Sequence, residues 1–160
     1  MSINNPLADL PPLRVRGFDK TKSNKGAQLP ARATNGSAGY DFELQYDLEV
    51  LPGKHSTATP LGIKAYMCKG EVLKLYIRSS LGFKHGLVLS NSTGIIDADY
   101  FDNKDNEGEI FVKLYNTGEK AIVLKAGTRV IQGIFEQTLP ADNSFLVGIE
   151  RGGGLGSTGE

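Results

Sequence analysis

Two aspartates lie two positions apart near the middle of the chain, in the segment 94–100 with the sequence GIIDADY. In an extended backbone Asp97 and Asp99 share one face, because successive side chains of a strand alternate sides. A carboxylate held in this way can orient a water molecule and accept its proton. Carboxylates are uncommon inside strands and costly to desolvate, so the pair points to base catalysis or metal binding. The alternative is a strand end that enters a solvated turn, and this segment alone leaves both open.

Two other segments carry groups that suit a phosphate. Arg78, Ser79 and Ser80 follow a short apolar run, which predicts a guanidinium and two hydroxyls where a strand ends in a loop. The sequence GTRVIQ brings Arg129 and Gln132 to a turn that enters another strand. Charged and amide donors of this kind bind phosphate oxygens. Polar residues are also ordinary at strand ends, so each segment taken singly has a purely structural interpretation as well.

The last ten residues, RGGGLGSTGE, contain five glycines and cannot build a core. One interpretation is a flexible end without a role of its own. The other is a phosphate clamp, in which glycine amides approach an anion closely while Arg151, Ser157 and Thr158 add donors. We therefore divide the chain into a single domain, 1–150, and a C-terminal arm, 151–160.

The composition limits the class of protein. A length of 160 residues, with 39% hydrophobic and 22% charged residues, suits one globular domain. The formal net charge of zero argues against direct nucleic-acid binding, and no apolar run is long enough for a membrane. Cys68, the single cysteine, excludes an intrachain disulfide, and we expect it to pack inside the protein. With no signal-peptide pattern after Met1, this predicts a reducing cytoplasm.

The elements that must position these groups are strands. Between residues 40 and 50 apolar and polar residues alternate strictly, which predicts one strand with a single buried face. The residues of that face are Tyr40, Phe42, Leu44, Tyr46, Leu48 and Val50. Further strands are predicted at 13–18, 61–67, 72–78, 86–90, 94–99, 109–115, 120–124, 129–137 and 145–149. No segment longer than a turn has helical apolar spacing, so we predict an all-β barrel or sandwich of roughly ten strands.

Five segments, taken in order, resemble the five motifs of trimeric dUTPases. They are AGYDF at 38–42, RSSLG at 78–82, GIIDADY at 94–100, GTRVIQ at 127–132 and the glycine-rich tail. Their order and spacing are specific although each motif alone is weak. The resemblance implies a jelly-roll-like fold and a homotrimer whose active sites each combine several subunits. It also implies hydrolysis of dUTP to dUMP and pyrophosphate, by water attack on the α-phosphorus with Mg²⁺ on the triphosphate.

The resemblance assigns roles to individual residues. Asp97 is the carboxylate that activates the water, and Tyr100 lies against the deoxyribose and excludes a 2′-hydroxyl. Asn91, in a hairpin formed by residues 87–91, contacts the uracil edge. Asp41 organises the charged network and meets the hydrated metal indirectly, through water. The full set of implied substrate contacts is Arg78, Ser79, Ser80, Asn91, Gly94, Tyr100, Gln132, Arg151, Leu155, Gly156, Ser157 and Thr158.

The sequence departs from the family pattern in three places. Residues 101–107 intervene after the third motif, which we interpret as an insertion of about six residues in a polar loop, a change that loops tolerate. Leu155 stands where the tail normally carries an aromatic residue that stacks on uracil, and leucine offers no π-face. The spacing from Arg151 to Leu155 is also about one residue shorter than the common pattern, which shifts the register of the arginine relative to the motif.

Two alternatives to a dUTP diphosphatase remain open. A dCTP deaminase shares the fold but requires a glutamate base beside the pyrimidine amine, and the match of Asp97 favours hydrolysis. The second alternative is a dUTP-dependent regulator that contacts a protein partner through the exposed, acidic insertion 101–107 with its phenylalanine. Neutral surface variation explains the same insertion without any partner.

Overall fold

The computed structural model of the protein describes residues 13–143. Within them the chain forms strands β1 (Gly17–Lys20), β2 (Tyr40–Glu43), β3 (Leu48–Val50), β4 (Thr59–Pro60), β5 (Ile63–Tyr66), β6 (Glu71–Ile77), β7 (Leu87–Leu89), β8 (Gly94–Asp97), β9 (Phe111–Val112), β10 (Leu114–Asn116), β11 (Ile122–Leu124) and β12 (Arg129–Gln137). One helix, α1 (Ser79–His85), lies between β6 and β7, and a 3₁₀ helix, Ala98–Tyr100, follows β8. The prediction of an all-β fold is confirmed. The predicted strand 145–149 lies outside the described residues.

The largest sheet positions most of the residues that carry chemistry. It has four strands in the order β2-β12-β6-β8, and every neighbouring pair is antiparallel. The other strands form two-stranded ladders, which pair β1 with β5, β3 with β11, β4 with β9 and β7 with β10. Because β6 and β8 are antiparallel, the C-terminal end of β6 and the C-terminal end of β8 lie at opposite ends of the sheet, as measured along the strands.

The core lies on the inner face of this sheet. Phe42 on β2, Leu73 on β6 and Ile131 on β12 are each almost fully buried. Gly133 on β12 allows their strands to approach, since a Cβ atom there would lie 2.9 Å from both Leu73 Cδ1 and Phe42 Cε2. A side chain at this position would therefore have to displace two core residues.

The segment 40–50 is two strands rather than the single predicted one. The chain leaves the sheet after Glu43, and the Asp47 carboxylate then accepts hydrogen bonds from the Ala126 amide at 2.9 Å and from Lys125 at 2.7 Å. Tyr46 is 61% exposed, so its predicted burial is wrong. Alternation of apolar and polar residues predicts a strand, but it does not reveal a bend that is held by residues far along the chain.

Helix α1 is absent from the sequence prediction. It has seven residues and buries only Leu81, so its apolar spacing is too short to detect. The helix ends at Gly86, which has a φ of 63° and whose N–H donates to the Gly82 carbonyl. No helix among residues 13–143 is long and apolar enough to cross a membrane.

Cys68 is exposed, so the expectation that it packs inside the protein is wrong. It lies in the turn between β5 and β6, where its N–H donates to the Glu71 carboxylate at 3.1 Å. That carboxylate also pairs with Arg16, and the hydrogen bonds from the guanidinium lower the pKa of Glu71. The position of Cys68 follows from these polar contacts of the turn, which residue type alone does not reveal.

Glu109 provides a test of the pH dependence of stability. Burial raises the pKa of Glu109, and its Oε1 accepts a hydrogen bond from the Gly62 N–H at 3.0 Å. A raised pKa means that the charged carboxylate opposes folding at neutral pH, and that this cost disappears as the pH falls and the group is protonated. Glu109→Gln keeps the acceptor without the charge, so it is expected to raise Tm at pH 7. The gain should vanish in melts near pH 4, and an equal gain at both pH values would contradict this account.

Candidate functional site

Four of the predicted site residues line one cleft of about 280 Å³. Asp41, Arg78, Ser79 and Gln132 share it, and we name it the Asp41 cleft. Its other lining residues are Ala33, Ser37, Ala38, Gly39 and Ile134. Residues from three of the sequence motifs therefore converge in one place, although up to 91 positions separate them along the chain (132 − 41 = 91).

The strand register brings these residues together. Asp41 on β2 lies directly opposite Gln132 on β12. Arg78 follows β6 and precedes α1, and its N–H donates to the Val130 carbonyl at 3.1 Å. Gly39 leaves room for the glutamine, since a Cβ atom there would lie 2.6 Å from Gln132 Oε1. The glycine of the first motif therefore leaves the space that the glutamine side chain of the fourth motif occupies.

Asp41 pairs with two arginines, and one of them, Arg78, lines the cleft. Its Oδ1 lies 3.1 Å from Arg78 Nε, and its Oδ2 lies 3.3 Å from Arg129 Nη1. The carboxylate side chain is 11% exposed, whereas those of Arg78 and Arg129 are 28% and 47% exposed. A guanidinium has five N–H donors, so each arginine keeps donors for a second anion. The arrangement is two guanidinium groups held by a half-buried acid, and the guanidinium of Arg78 lines the cleft.

Two details of this cleft differ from the sequence prediction. Ser80 is part of α1 but does not line the cleft, whereas its neighbour Ser79 does. Ser37 lines it and was not singled out, because it ends a polar loop and its only sequence signal is its place beside the first motif. Both serines are in α1, but only Ser79 lines the cleft. The linear motif does not show this difference.

Asp97 lines a different cleft, of about 520 Å³, together with Asp99, Lys69 and Glu71. We name it the Asp97 cleft. Asp97 ends β8 with extended dihedral angles, and Asp99 falls in the 3₁₀ helix that follows. The expectation that the two aspartates share one face of an extended strand is therefore wrong. The strand stops at Asp97 because the chain turns immediately after it, and Asp99 is the more exposed of the two.

The two clefts are far apart in a single chain. Asp97 pairs with Val72 in the antiparallel β6–β8 ladder, and Arg78 lies six positions further along the β6 chain (78 − 72 = 6). At about 3.3 Å per residue, this separates the Asp97 and Arg78 backbones by about 20 Å. Their side chains are too short to bridge that distance. One anionic phosphate cannot contact both residues of the same copy.

The predicted sugar- and base-contacting residues lie at the end and the start of β8. Tyr100 is 6% exposed, and its hydroxyl donates to the Glu109 carbonyl at 2.9 Å. Gly94 is buried where a Cβ atom would lie 3.0 Å from Leu75 Cβ, so close strand packing requires the glycine. Asn91 is exposed in the turn between β7 and β8, and its carbonyl accepts the Thr93 N–H at 2.7 Å.

The predicted hairpin at 87–91 is not a hairpin in its hydrogen bonding. β7 pairs with β10, whereas β8 pairs with β6, so consecutive strands belong to different sheets. Hydrophobic pattern does not specify which partner a short strand selects. The remaining predicted contacts, Arg151, Leu155, Gly156, Ser157 and Thr158, lie outside the described residues.

The insertion 101–107 is packed against strand β5 rather than fully exposed. The ring of Phe101 is half-buried, with its centroid 4.9 Å from Lys64 Nζ and 5.9 Å from the Tyr66 ring centroid. Lys64, which is 7% exposed, pairs with Asp102 and lies 3.7 Å from Glu107 Oε2. Two of the three acidic residues of the insertion therefore compensate a buried cation. Phe101 is not an exposed anchor of the kind expected from the sequence.

Neutralising these acids is expected to destabilise the domain. The double variant Asp102→Asn with Glu107→Gln keeps the side-chain shapes but leaves Lys64 without its carboxylates. We expect the free energy of unfolding to fall by about 1 to 3 kcal/mol in urea denaturation. Asp105→Asn, an exposed position in the same loop, is the matched control and should leave the midpoint unchanged. Equal midpoints for all three proteins would contradict the role given to the insertion.

The class of protein follows from these features together with the relatives of the chain. A family model described as dUTPase matches residues 25–152, and the chain belongs to this dUTPase family. It is 45% identical over 150 residues to the deoxyuridine 5′-triphosphate nucleotidohydrolase of Lactococcus lactis, covering 92% of this chain and 99% of that one. The protein of the same name from Actinobacillus succinogenes is 35% identical over 147 residues, covering 86% of this chain and 93% of that one.

Solved structures show the same architecture. The crystal structure of dUTPase from Streptococcus mutans is 43% identical with a TM-score of 0.72, and the alignment covers 79% of this chain and 99% of that one. The dUTPase of phage phi11 of Staphylococcus aureus has a TM-score of 0.68 over 85% of this chain and 98% of that one. Its identity of 17% restricts that likeness to the fold. The all-β fold is thus that of the trimeric dUTPases.

Proposed function

We propose that this protein hydrolyses dUTP to dUMP and pyrophosphate, which limits uracil incorporation into DNA and supplies dUMP. Membership of the dUTPase family gives the activity. The observation that carries the assignment to particular residues is the convergence of Asp41, Arg78, Ser79 and Gln132 in one cleft. A cleft lined by an arginine, a hydroxyl and an amide, with a second arginine paired to its carboxylate, is suited to a triphosphate.

In the proposed mechanism, Asp97 orients a water molecule and accepts its proton as the oxygen attacks the α-phosphorus. A new P–O bond forms to that water, the bond from the α-phosphorus to the bridging oxygen breaks, and pyrophosphate leaves. Arg78, Ser79 and Gln132 stabilise the negative charge on the phosphate oxygens. Asp41 acts indirectly, by holding Arg78 and Arg129 in place.

Mg²⁺ fits this site as a companion of the triphosphate. When bound, it neutralises charge on the phosphate oxygens. Among residues 13–143, no group of three His, Cys, Asp or Glu side chains is placed to hold a metal. Both carboxylate oxygens of Asp41 face an arginine, so we propose that Asp41 meets the hydrated ion only through water. A phage phi11 relative is described with a structural Mg(II) ion, but its 16% identity restricts that likeness to the fold.

We propose that each active site combines residues from several copies in a homotrimer. The separation of about 20 Å between Asp97 and Arg78 supports this, because a nucleotide held at one cleft is beyond the reach of the other residue in the same copy. Asp97 of one subunit would then face the Asp41 cleft of another. The arm 151–160 would supply Arg151, Ser157 and Thr158 to the terminal phosphate, with Leu155 and Gly156 beside the base.

The base and sugar contacts remain proposals as well. Asn91 and the backbone at Gly94 would recognise the uracil edge, and Tyr100 would lie against the deoxyribose. Tyr100 is 6% exposed, so only a small part of its surface is available to the sugar. We place the reaction in the cytoplasm, since one exposed cysteine suits a reducing compartment.

An assay of the purified protein with dUTP and dCTP tests the activity. We expect pyrophosphate and dUMP from dUTP in the presence of Mg²⁺, and no ammonia from dCTP. Ammonia release from dCTP without pyrophosphate release from dUTP would instead indicate the deaminase alternative. The regulator alternative has less support, because the phenylalanine and two of the acids of its supposed contact surface pack against the protein's own sheet.

A further inference from the structure

The insertion 101–107 is connected to Tyr100 by a network of side-chain amides. Asn106 Nδ2 donates to the Tyr100 phenol oxygen at 2.8 Å, and that phenol donates onward to the Glu109 carbonyl at 2.9 Å. Asn103 Nδ2 donates to the Tyr100 carbonyl at 2.9 Å. The insertion thus contacts both the side chain and the backbone of the same tyrosine.

Asn106 is itself held in place. Its Oδ1 accepts hydrogen bonds from Asn103 Nδ2 at 2.8 Å and from the Gly108 N–H at 3.1 Å. Asn103 is 9% exposed, and its Oδ1 accepts the Asp105 and Asn106 N–H groups. Because the acceptor oxygen of Asn106 is used in this way, its amide nitrogen is directed to the phenol oxygen. A polar network in which each member supports the next is rigid.

We propose that Asn106 is a positioning residue that sets how strictly the site excludes ribonucleotides, by fixing the Tyr100 ring; this rests on the proposed function. The Tyr100 ring excludes a 2′-hydroxyl sterically only if the ring does not shift when a ribonucleotide binds. Pockets that reject an added hydroxyl through shape alone discriminate weakly. The hydrogen bond from Asn106 restrains the phenol of Tyr100, so the ring is held in the position that excludes the hydroxyl.

The variant Asn106→Asp isolates this contact. The aspartate keeps the Oδ1 acceptor for Asn103 and Gly108, but its second oxygen cannot donate to the Tyr100 phenol. The readout is the ratio of kcat/KM for dUTP to kcat/KM for UTP. We expect the ratio to fall by about 5- to 10-fold, the factor that one neutral hydrogen bond typically carries. A variant that only unfolds part of the protein lowers both rates equally and leaves the ratio unchanged.

Two further proteins complete the test. Lys104→Gln changes the charge of the same loop by the same amount at an exposed position, and it should keep the wild-type ratio. In a Tyr100→Phe background, Asn106→Asp should change the ratio no further, because the phenol oxygen is already absent.

The outcomes separate this inference from the proposed function. If the wild-type protein hydrolyses dUTP but Asn106→Asp keeps the wild-type ratio, the inference is wrong and the activity stands. An equal fall in Lys104→Gln, or an additive effect in the Tyr100→Phe background, would also overturn it. A wild-type protein without dUTP hydrolysis would instead remove the proposed function itself.

Discussion

Replacing Asp97 by asparagine is expected to lower kcat for dUTP by about 10²- to 10⁴-fold, the usual contribution of a positioned general base. The amide has almost the same shape, but it cannot accept the proton of the attacking water. Asp97 ends β8 in a backbone that the β6–β8 ladder holds, so the fold should be retained. Nucleotide binding, measured by calorimetry with a non-hydrolysable dUTP analogue, should change little. Steady-state pyrophosphate release gives kcat.

Asp99→Asn is the matched control for this variant. It removes an equal charge two positions away, in the same cleft, from a more exposed residue of the 3₁₀ helix. We expect it to retain most of the activity, because Asp99 is not the proton acceptor. Near-normal turnover in Asp97→Asn, or equal losses in both variants, would refute the assignment of the base.

The second large effect is expected from Arg78→Ala, which should lower kcat/KM for dUTP by about 10²- to 10³-fold. The substitution removes a donor to the phosphate oxygens and leaves the Asp41 carboxylate with Arg129 as its remaining arginine. Less positive charge then faces the phosphates, so we expect weaker substrate binding and weaker stabilisation of the transition state. Initial-rate kinetics over a range of dUTP concentrations would measure the loss.

Two comparisons show whether geometry or charge is responsible. Arg78→Lys keeps the charge but loses the planar fork of the guanidinium, and it should recover only part of the activity. Lys125→Ala breaks an exposed ion pair with Asp47 outside both clefts and should have no effect on kcat/KM. Full activity in Arg78→Ala would show that the Asp41 cleft does not bind the triphosphate.

The sequence predicts elements that depend on local residue patterns, and it does not predict features that depend on contacts between distant residues. β12 spans Arg129–Gln137, as predicted, because it is rich in β-branched and aromatic residues and begins directly after the turn at Gly127. The bend after Glu43 was missed because Asp47 is held by residues 125 and 126, far along the chain. Helix α1 was missed because seven residues with one buried side chain carry too little pattern.

The site shows the same limit. The residue types of the motifs predicted an anion site, and the strand register brings Asp41, Arg78, Ser79 and Gln132 into one cleft. The distance of Asp97 from that cleft depends on the β6–β8 register, which no single motif encodes. The amide network that joins Asn103 and Asn106 to Tyr100 is likewise invisible in a list of polar residues.

The most direct test of the account is to mix two inactive variants, Asp97→Asn and Arg78→Ala, by co-expression with different affinity tags and isolation of the mixed trimers. If each site takes Asp97 from one copy and Arg78 from its neighbour, about one site in three in every trimer that contains both variants has both residues intact. We therefore expect the isolated mixed trimers to recover about a third of the wild-type kcat per site for dUTP. Activity no higher than that of the two pure variants would contradict the shared site.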